Sequence, residues 1–119
     1  MSARRLCALA SAALAAMPLA LAASPQTEGF KKLSAAQIKQ AFSGRRFSDD
    51  THFTFQYRAN GEIAGTSMGK QVRDKWAVVK EELCITDSFG ETCYGVWKKG
   101  TSVKLIVEGS HVSIDGEVR

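Results

Sequence analysis

The chain has 119 residues, 45% of them hydrophobic, with 16 basic and 12 acidic side chains and a formal charge of +4. That is room for one domain and no more. So small a charge argues against a surface built to grip nucleic acid, and three cysteines with two histidines, widely scattered, make no zinc module.

Residues 1–22 carry a short basic start (Arg4, Arg5), an uncharged apolar run over residues 6–21, and small residues at Ala20 and Ala22. The pattern predicts a secretory signal peptide cleaved after Ala22 or Ala23; the run is alanine-rich and short for a membrane anchor. The residues after Arg4 and Arg5 do not extend a twin-arginine motif. Cys7 precedes the apolar run, too early for a lipid-modified cysteine. Cleavage removes Cys7 and leaves Cys84 and Cys93 as a pair, which fits an oxidising, periplasmic or secreted location. It also lowers the formal charge from +4 to +2. About 97 residues remain, enough for one modest core that benefits from a covalent staple.

Residues 23–32 are expected to be a flexible leader, and residues 33–119 a single β-rich domain. A helix of two to three turns opens that domain. Ser34 is its N-cap, Gln37 completes a capping box, Leu33 is placed to staple against Ile38, and Gly44 supplies the stop. Ile38, Ala41 and Phe42 share one face, which must pack on a sheet because so short a helix does not persist alone.

From Arg45 onward the pattern has period two. Phe53, Phe55 and Tyr57 alternate with His52, Thr54 and Gln56. In the turn over residues 58–61, a three-residue loop with Gly61 at a left-handed bulge pairs Tyr57 with Ile63 and leaves Arg58 and Glu62 outside. Residues 65–70 read as a strand end and loop, and residues 72–79 as a strand with Trp76 and Val78 on one face. Next comes a hairpin with Ser88 and Phe89 at its tip. Counting outward from the tip sets Cys84 opposite Cys93 in a non-hydrogen-bonded pair, about 4.5 Å apart at Cα, close enough for a disulfide. Leu83, Ile85, Tyr94 and Val96 share one face of this hairpin; Cys84, Cys93, Gly95 and Trp97 share the other. Both faces are partly apolar, which suggests a curled sheet with its outside covered, for instance by the capped helix. Lys98, Lys99 and Gly100 turn into a strand over residues 101–107 with Val103, Leu105 and Val107 inward. Residues 111–114 form a last short strand, and residues 115–119 a turn and frayed end. The fold class is therefore mainly β: a short N-terminal helix, then a seven- or eight-stranded antiparallel meander, a small barrel or curled sheet, with one hairpin disulfide.

The run Phe53-x-Phe55-x-Tyr57, Asn60-Gly61, Trp76, Leu83-Cys84, Cys93-Tyr94, Val96 and Lys99-Gly100, following a helix that begins Leu33-Ser34-Ala35, resembles small exported proteins of Gram-negative bacteria. These belong to domain-of-unknown-function families with a lipocalin-like or avidin-like β-barrel appearance. The resemblance covers residues 33–107 and implies export and a barrel. It brings no catalytic residue.

No catalytic constellation stands out. The cysteines pair with each other, no serine sits in a Gly-x-Ser-x-Gly elbow, and Asp49, Asp50, Glu81, Glu82 and Asp87 read as solvent-facing turn charges. His52 and His111 read as surface strand residues, so neither a metal nor a cofactor is expected. The open question is binding. Phe53, Phe55, Tyr57, Trp76, Tyr94 and Trp97 are many aromatics for this length, and Trp97 has Lys98 and Lys99 beside it. The expectation is a non-enzymatic periplasmic or secreted binding domain with a protein or cell-envelope partner. The alternatives are a lipocalin-like binder of a small apolar ligand and an inhibitor of an exported hydrolase that uses residues 24–32.

Overall fold

The computed structural model describes residues 27–119; the expected signal peptide and the first part of the leader lie outside the described residues. A two-residue strand β1 (Lys31–Lys32) precedes helix α1 (Ala35–Phe42). Eight strands follow: β2 (Arg45–Ser48), β3 (Phe53–Tyr57), β4 (Glu62–Ser67), β5 (Lys70–Val79), β6 (Glu82–Asp87), β7 (Gly90–Lys99), β8 (Ser102–Ile106) and β9 (Ser113–Val118). Each of β2 to β9 pairs antiparallel with the next, and β9 returns to β2 through Phe47 opposite Val118. The sheet is thus a closed up-and-down barrel, which removes the sheet edges that an open meander leaves exposed.

Period-two alternation decides what faces inward. Tyr57 stands opposite Ile63 and Leu83 opposite Tyr94, as expected from the registers of their turns; Ile63 also stands opposite Asp74, and Trp76 opposite Ile85. Phe47, Tyr57, Ile63, Leu83, Val96, Val103 and Leu105 are all at most 2% exposed, so one half of the barrel is a packed core.

Helix α1 closes that half. The capping box is formed, with the Gln37 backbone N–H donating to Ser34 Oγ and the Ser34 N–H donating to Gln37 Oε1. Ile38 and Phe42 are fully buried, and the Phe42 ring lies 4.8 Å from Tyr57 and 5.8 Å from Phe47 between centroids. Both partners face inward, so the helix plugs one end of the barrel and does not cover its outer face as expected from the two-sided hairpin. The apolar outward positions have a more local explanation. Gly95 leaves room on the outer surface for the Trp97 ring and the Lys32 stem, and Cys84 is covered where it joins Cys93.

Two terminal expectations are corrected. Lys31 and Lys32 are paired with Lys98 and Trp97 of β7, so the end of the leader is part of the sheet. The stretch after Ile114, expected to fray, is the strand that closes the barrel. Its polarity hides the fact that Gly116 sits against the Phe47 ring, where a Cβ would lie 2.8 Å from a ring carbon. Val118 is buried beside it. Val107, expected inward, lies past the end of β8 and is exposed.

The Cys84–Cys93 disulfide is present, with Cα atoms 3.9 Å apart. For so short a loop the chain-entropy model gives about 2.7 kcal/mol. Reduction is therefore expected to lower the melting temperature cooperatively while leaving the far-UV spectrum of the folded protein unchanged at low temperature; a thermal melt with and without reductant checks this.

The β2–β3 connection is held by one carboxylate. Asp49 Oδ1 accepts the backbone N–H groups of Thr51, His52 and Phe53, and Oδ2 lies 2.7 Å from His52 Nδ1. Burial alone would raise the Asp49 carboxyl, but the donors from Phe53, Thr51 and His52 outweigh it and hold it well below the usual carboxylate range. A depressed acid stabilises the fold above its unfolded pKa, and that contribution is lost as the pH falls below it, from about pH 4 downward. Asp49→Asn is accordingly expected to be less stable at pH 7 and to lose part of the wild-type acid sensitivity, read from melting temperature against pH.

Candidate ligand-binding site at the open end of the barrel

In an up-and-down barrel alternate connections share an end. The β3–β4, β5–β6 and β7–β8 turns lie at the end closed by α1, while the β2–β3, β4–β5, β6–β7 and β8–β9 connections ring the other. At this second end the inward positions are not sealed. Phe53, Phe55, Val72, Asp74, Ile85 and Tyr94 share the inward phase of their strands yet remain half-buried. The rim above them carries large apolar tips: Met68, Phe89 and Val112 are 73%, 97% and 75% exposed.

One side of the mouth is aromatic. Phe53 and Phe55 stack at 5.1 Å with an interplanar angle of 16°, and Phe47 beneath them lies 5.2 Å from Phe53. Asp74 and Asp87 line a groove of about 380 Å³ together with Arg58, Glu62, Arg73 and Lys75. Burial, then the charge of Asp87, push both Asp74 and Tyr94 up from their ordinary values. Burial, with the charges of Tyr94 and Asp74, pushes Tyr57 far up. A raised phenol stabilises the fold below its unfolded pKa and loses that contribution as the pH rises beyond it, so unfolding is expected to be favoured above about pH 10. Tyr57→Phe should flatten this alkaline limb in a pH series of thermal melts.

The expected site residues divide into three groups. Phe53, Phe55, Tyr57 and Tyr94 converge on the barrel interior. Trp76 is core: it packs edge-on to Tyr57 at 5.6 Å, and its indole N–H donates to the Arg58 carbonyl at 2.8 Å. Trp97 lies outside, in a groove of about 580 Å³ with Lys32, Lys80, Glu81 and Glu108. Its indole N–H has no acceptor among the described residues. Lys98 and Lys99 do not join Trp97 as a basic strip, for Lys98 Nζ donates to the Gly100 carbonyl and the Lys99 side chain lies against Gly29.

Comparison with protein-family models, curated proteins and solved structures finds no match. The chemistry of the site is therefore argued from its own groups. Among the described residues, the one close set of metal-ligating side chains is Cys84, Glu91 and Cys93, and its two sulfurs are joined to each other. His52 is bonded to Asp49, and neither histidine belongs to such a set. No helix among the described residues is long and apolar enough to cross a membrane.

Asp74 is a half-buried acid that residue-type reasoning passed over, whereas Asp87 is exposed, as expected of a turn charge. A signal for Asp74 existed: it occupies the same strand phase as Val72, Trp76 and Val78, so it is an acid on an apolar face.

Proposed function

We propose that this protein is a non-enzymatic, exported binding domain that takes a small ligand into the open end of its barrel. The observation that carries this reading is the asymmetry of the interior. One end is plugged by Ile38 and Phe42 and packed solid, while inward-facing Phe53, Phe55 and Tyr94 stay accessible at the other. A rigid barrel with one open, aromatic-lined mouth is pre-organised to receive a ligand without reordering the chain. Because the helix-side core is filled by side chains, the ligand is shallow: it occupies the mouth and does not run the length of the barrel. Export, to the periplasm or beyond, is supported by the sequence of residues 1–22 and by the single disulfide.

Titration with a panel of fatty acids, haem and aromatic amines, followed by side-chain NMR, tests this reading. Saturable shifts of Phe53, Phe55 and Tyr94 are expected from at least one class. Silence of all three residues across the panel counts against it.

A second reading, docking of a protein or cell-envelope component on the outer face, has one specific support in the unpaired Trp97 indole and its groove. In the same titration with envelope fragments it would show as shifts confined to Trp97. An inhibitory role for the leader has less support, since Lys31 and Lys32 are paired along β7 and Phe30 lies under Lys104, 5.2 Å from ring centroid to Nζ.

A further inference from the structure

We infer that the outer-face groove at Trp97 is a saccharide-binding site, with a sugar ring packed on the indole and Gly95 kept bare as part of the floor. The inference rests on the second reading above, names the ligand class of that groove, and is independent of the barrel mouth.

Two observations lead to it, and the first is Gly95. Nine of the ten glycines are explained by the fold: seven have positive φ, and a Cβ on Gly65 or Gly116 would stand 2.0 or 2.8 Å from a neighbouring atom. Gly95 has neither reason. Its φ is not positive, and a Cβ there would stand 3.5 Å from the Ile106 carbonyl oxygen and Lys32 Cε and 3.7 Å from Trp97 Nε1, all ordinary contacts. Its pairing with β8 runs in unbroken register from Gly95 to Lys99, so no bulge accounts for it. An alanine would fit and would favour the strand. A strand glycine that the chain could do without marks a place where another molecule comes close to the backbone. Gly95 lines the groove of about 580 Å³ together with Trp97, Lys32 and Ile106.

The second observation is the set of groups around that floor. Lys32 and Lys80 bring ammonium groups to the same groove, and Glu81, Glu82 and Glu108 bring carboxylates. None of the five makes an ion pair or a side-chain hydrogen bond among the described residues, and the Trp97 indole N–H is likewise unused. Donors and acceptors thus surround one aromatic ring. A sugar matches both features: each hydroxyl donates and accepts, and the C–H face of the ring packs on the negative face of an indole.

The same groups disfavour other ligands. A molecule of one charge sign is repelled by the lysines or by the glutamates. A purely apolar molecule would strip water from the charges and return no bonds to them. A peptide cannot add to the sheet as a strand, because Trp97 is already paired with Lys32 on one side and Lys104 on the other. The volume of the groove falls within that of small-molecule sites, about 300 to 1,000 Å³.

The test titrates chitotriose, maltotriose and cellotriose, and a mixed Lys/Glu peptide as the rival, into the protein while the two indole N–H resonances are followed. Trp76, whose N–H donates to the Arg58 carbonyl inside the barrel end, serves as the internal reference. A saturable shift of Trp97 with at least one trisaccharide is expected, with Trp76 unmoved. Trp97→Ala should lower that affinity about tenfold or more. Gly95→Ala should lower it about tenfold, as an added methyl group does in a fitted site, while melting at the wild-type temperature or above. Wild-type affinity in Gly95→Ala, or a marked fall in its melting temperature, would overturn the role given to Gly95. Shifts of Trp97 with the peptide and with none of the sugars would overturn the saccharide assignment and leave the groove to a protein partner. Silence of Trp97 with every probe and with the envelope fragments above would overturn the outer-face reading as well, and would leave the mouth, reported by Phe53, Phe55 and Tyr94, untouched.

Discussion

Phe42→Ala is expected to destabilise the domain by about 3 to 5 kcal/mol, the range for emptying a buried aromatic site. The ring it removes is fully buried between Phe47 and Tyr57, where the helix meets the barrel. The eight residues of α1 are too few to stay helical in isolation, so loss of this anchor releases the helix as a unit, leaving Ile38 to hold it. Domains of this size are stable by only about 5 to 15 kcal/mol, so the loss takes a large share of the margin. Urea denaturation should show a lower midpoint, and hydrogen exchange should show protection lost first over residues 35–42. A midpoint within about 1 kcal/mol of wild type would mean that the helix is not the plug of this barrel.

Gly65→Ala should have an effect of similar size for a different reason. An ideal Cβ at Gly65 would stand 2.0 Å from the Thr54 carbonyl oxygen and 2.9 Å from the Phe55 Cα, both backbone atoms that no rotamer change can move. Strands β3 and β4 must separate to admit a single methyl group. At least about 3 kcal/mol is expected from that displacement, more than overpacking of a side-chain contact usually costs. Phe55, opposite Gly65, belongs to the mouth, so the variant should also disturb the Phe53–Phe55 stack. Melting temperature and aromatic NMR shifts report the two consequences separately. By contrast, Gly44→Ala places its Cβ in open space, so only the strain of its φ of 72° is expected, about 1 kcal/mol.

Much of this architecture was legible from local rules. Turn residues and period-two phase were enough to pair Tyr57 with Ile63 and Cys84 with Cys93, because each register is set by a short loop a few residues away. The capping box at Ser34 and Gln37 was equally local. What escaped was non-local. Nothing near α1 says that its apolar face meets the inside of a barrel end and not the outside of a sheet. Nothing near Gly116 says that Phe47, far back in the chain, needs its missing side chain. The mouth was legible by residue type in Phe53, Phe55 and Tyr94; Asp87, expected to face solvent, is exposed, and the acid that escaped was Asp74, on the apolar phase of its strand.

The closing seam has a consequence for how the molecule comes to be. Phe47 and Val118 pair across about 70 residues of intervening chain, and neighbouring strands elsewhere are joined by short turns. Until β9 is available, β2 and β8 each present an unpaired edge, so the hairpins can assemble early while the circle cannot complete. Closure, the pairing with the greatest separation along the chain, is therefore expected to be the slow step of folding. While the seam is open, the chain is exposed to edge-to-edge association with other copies, and that hazard ends only when its last strand is in place.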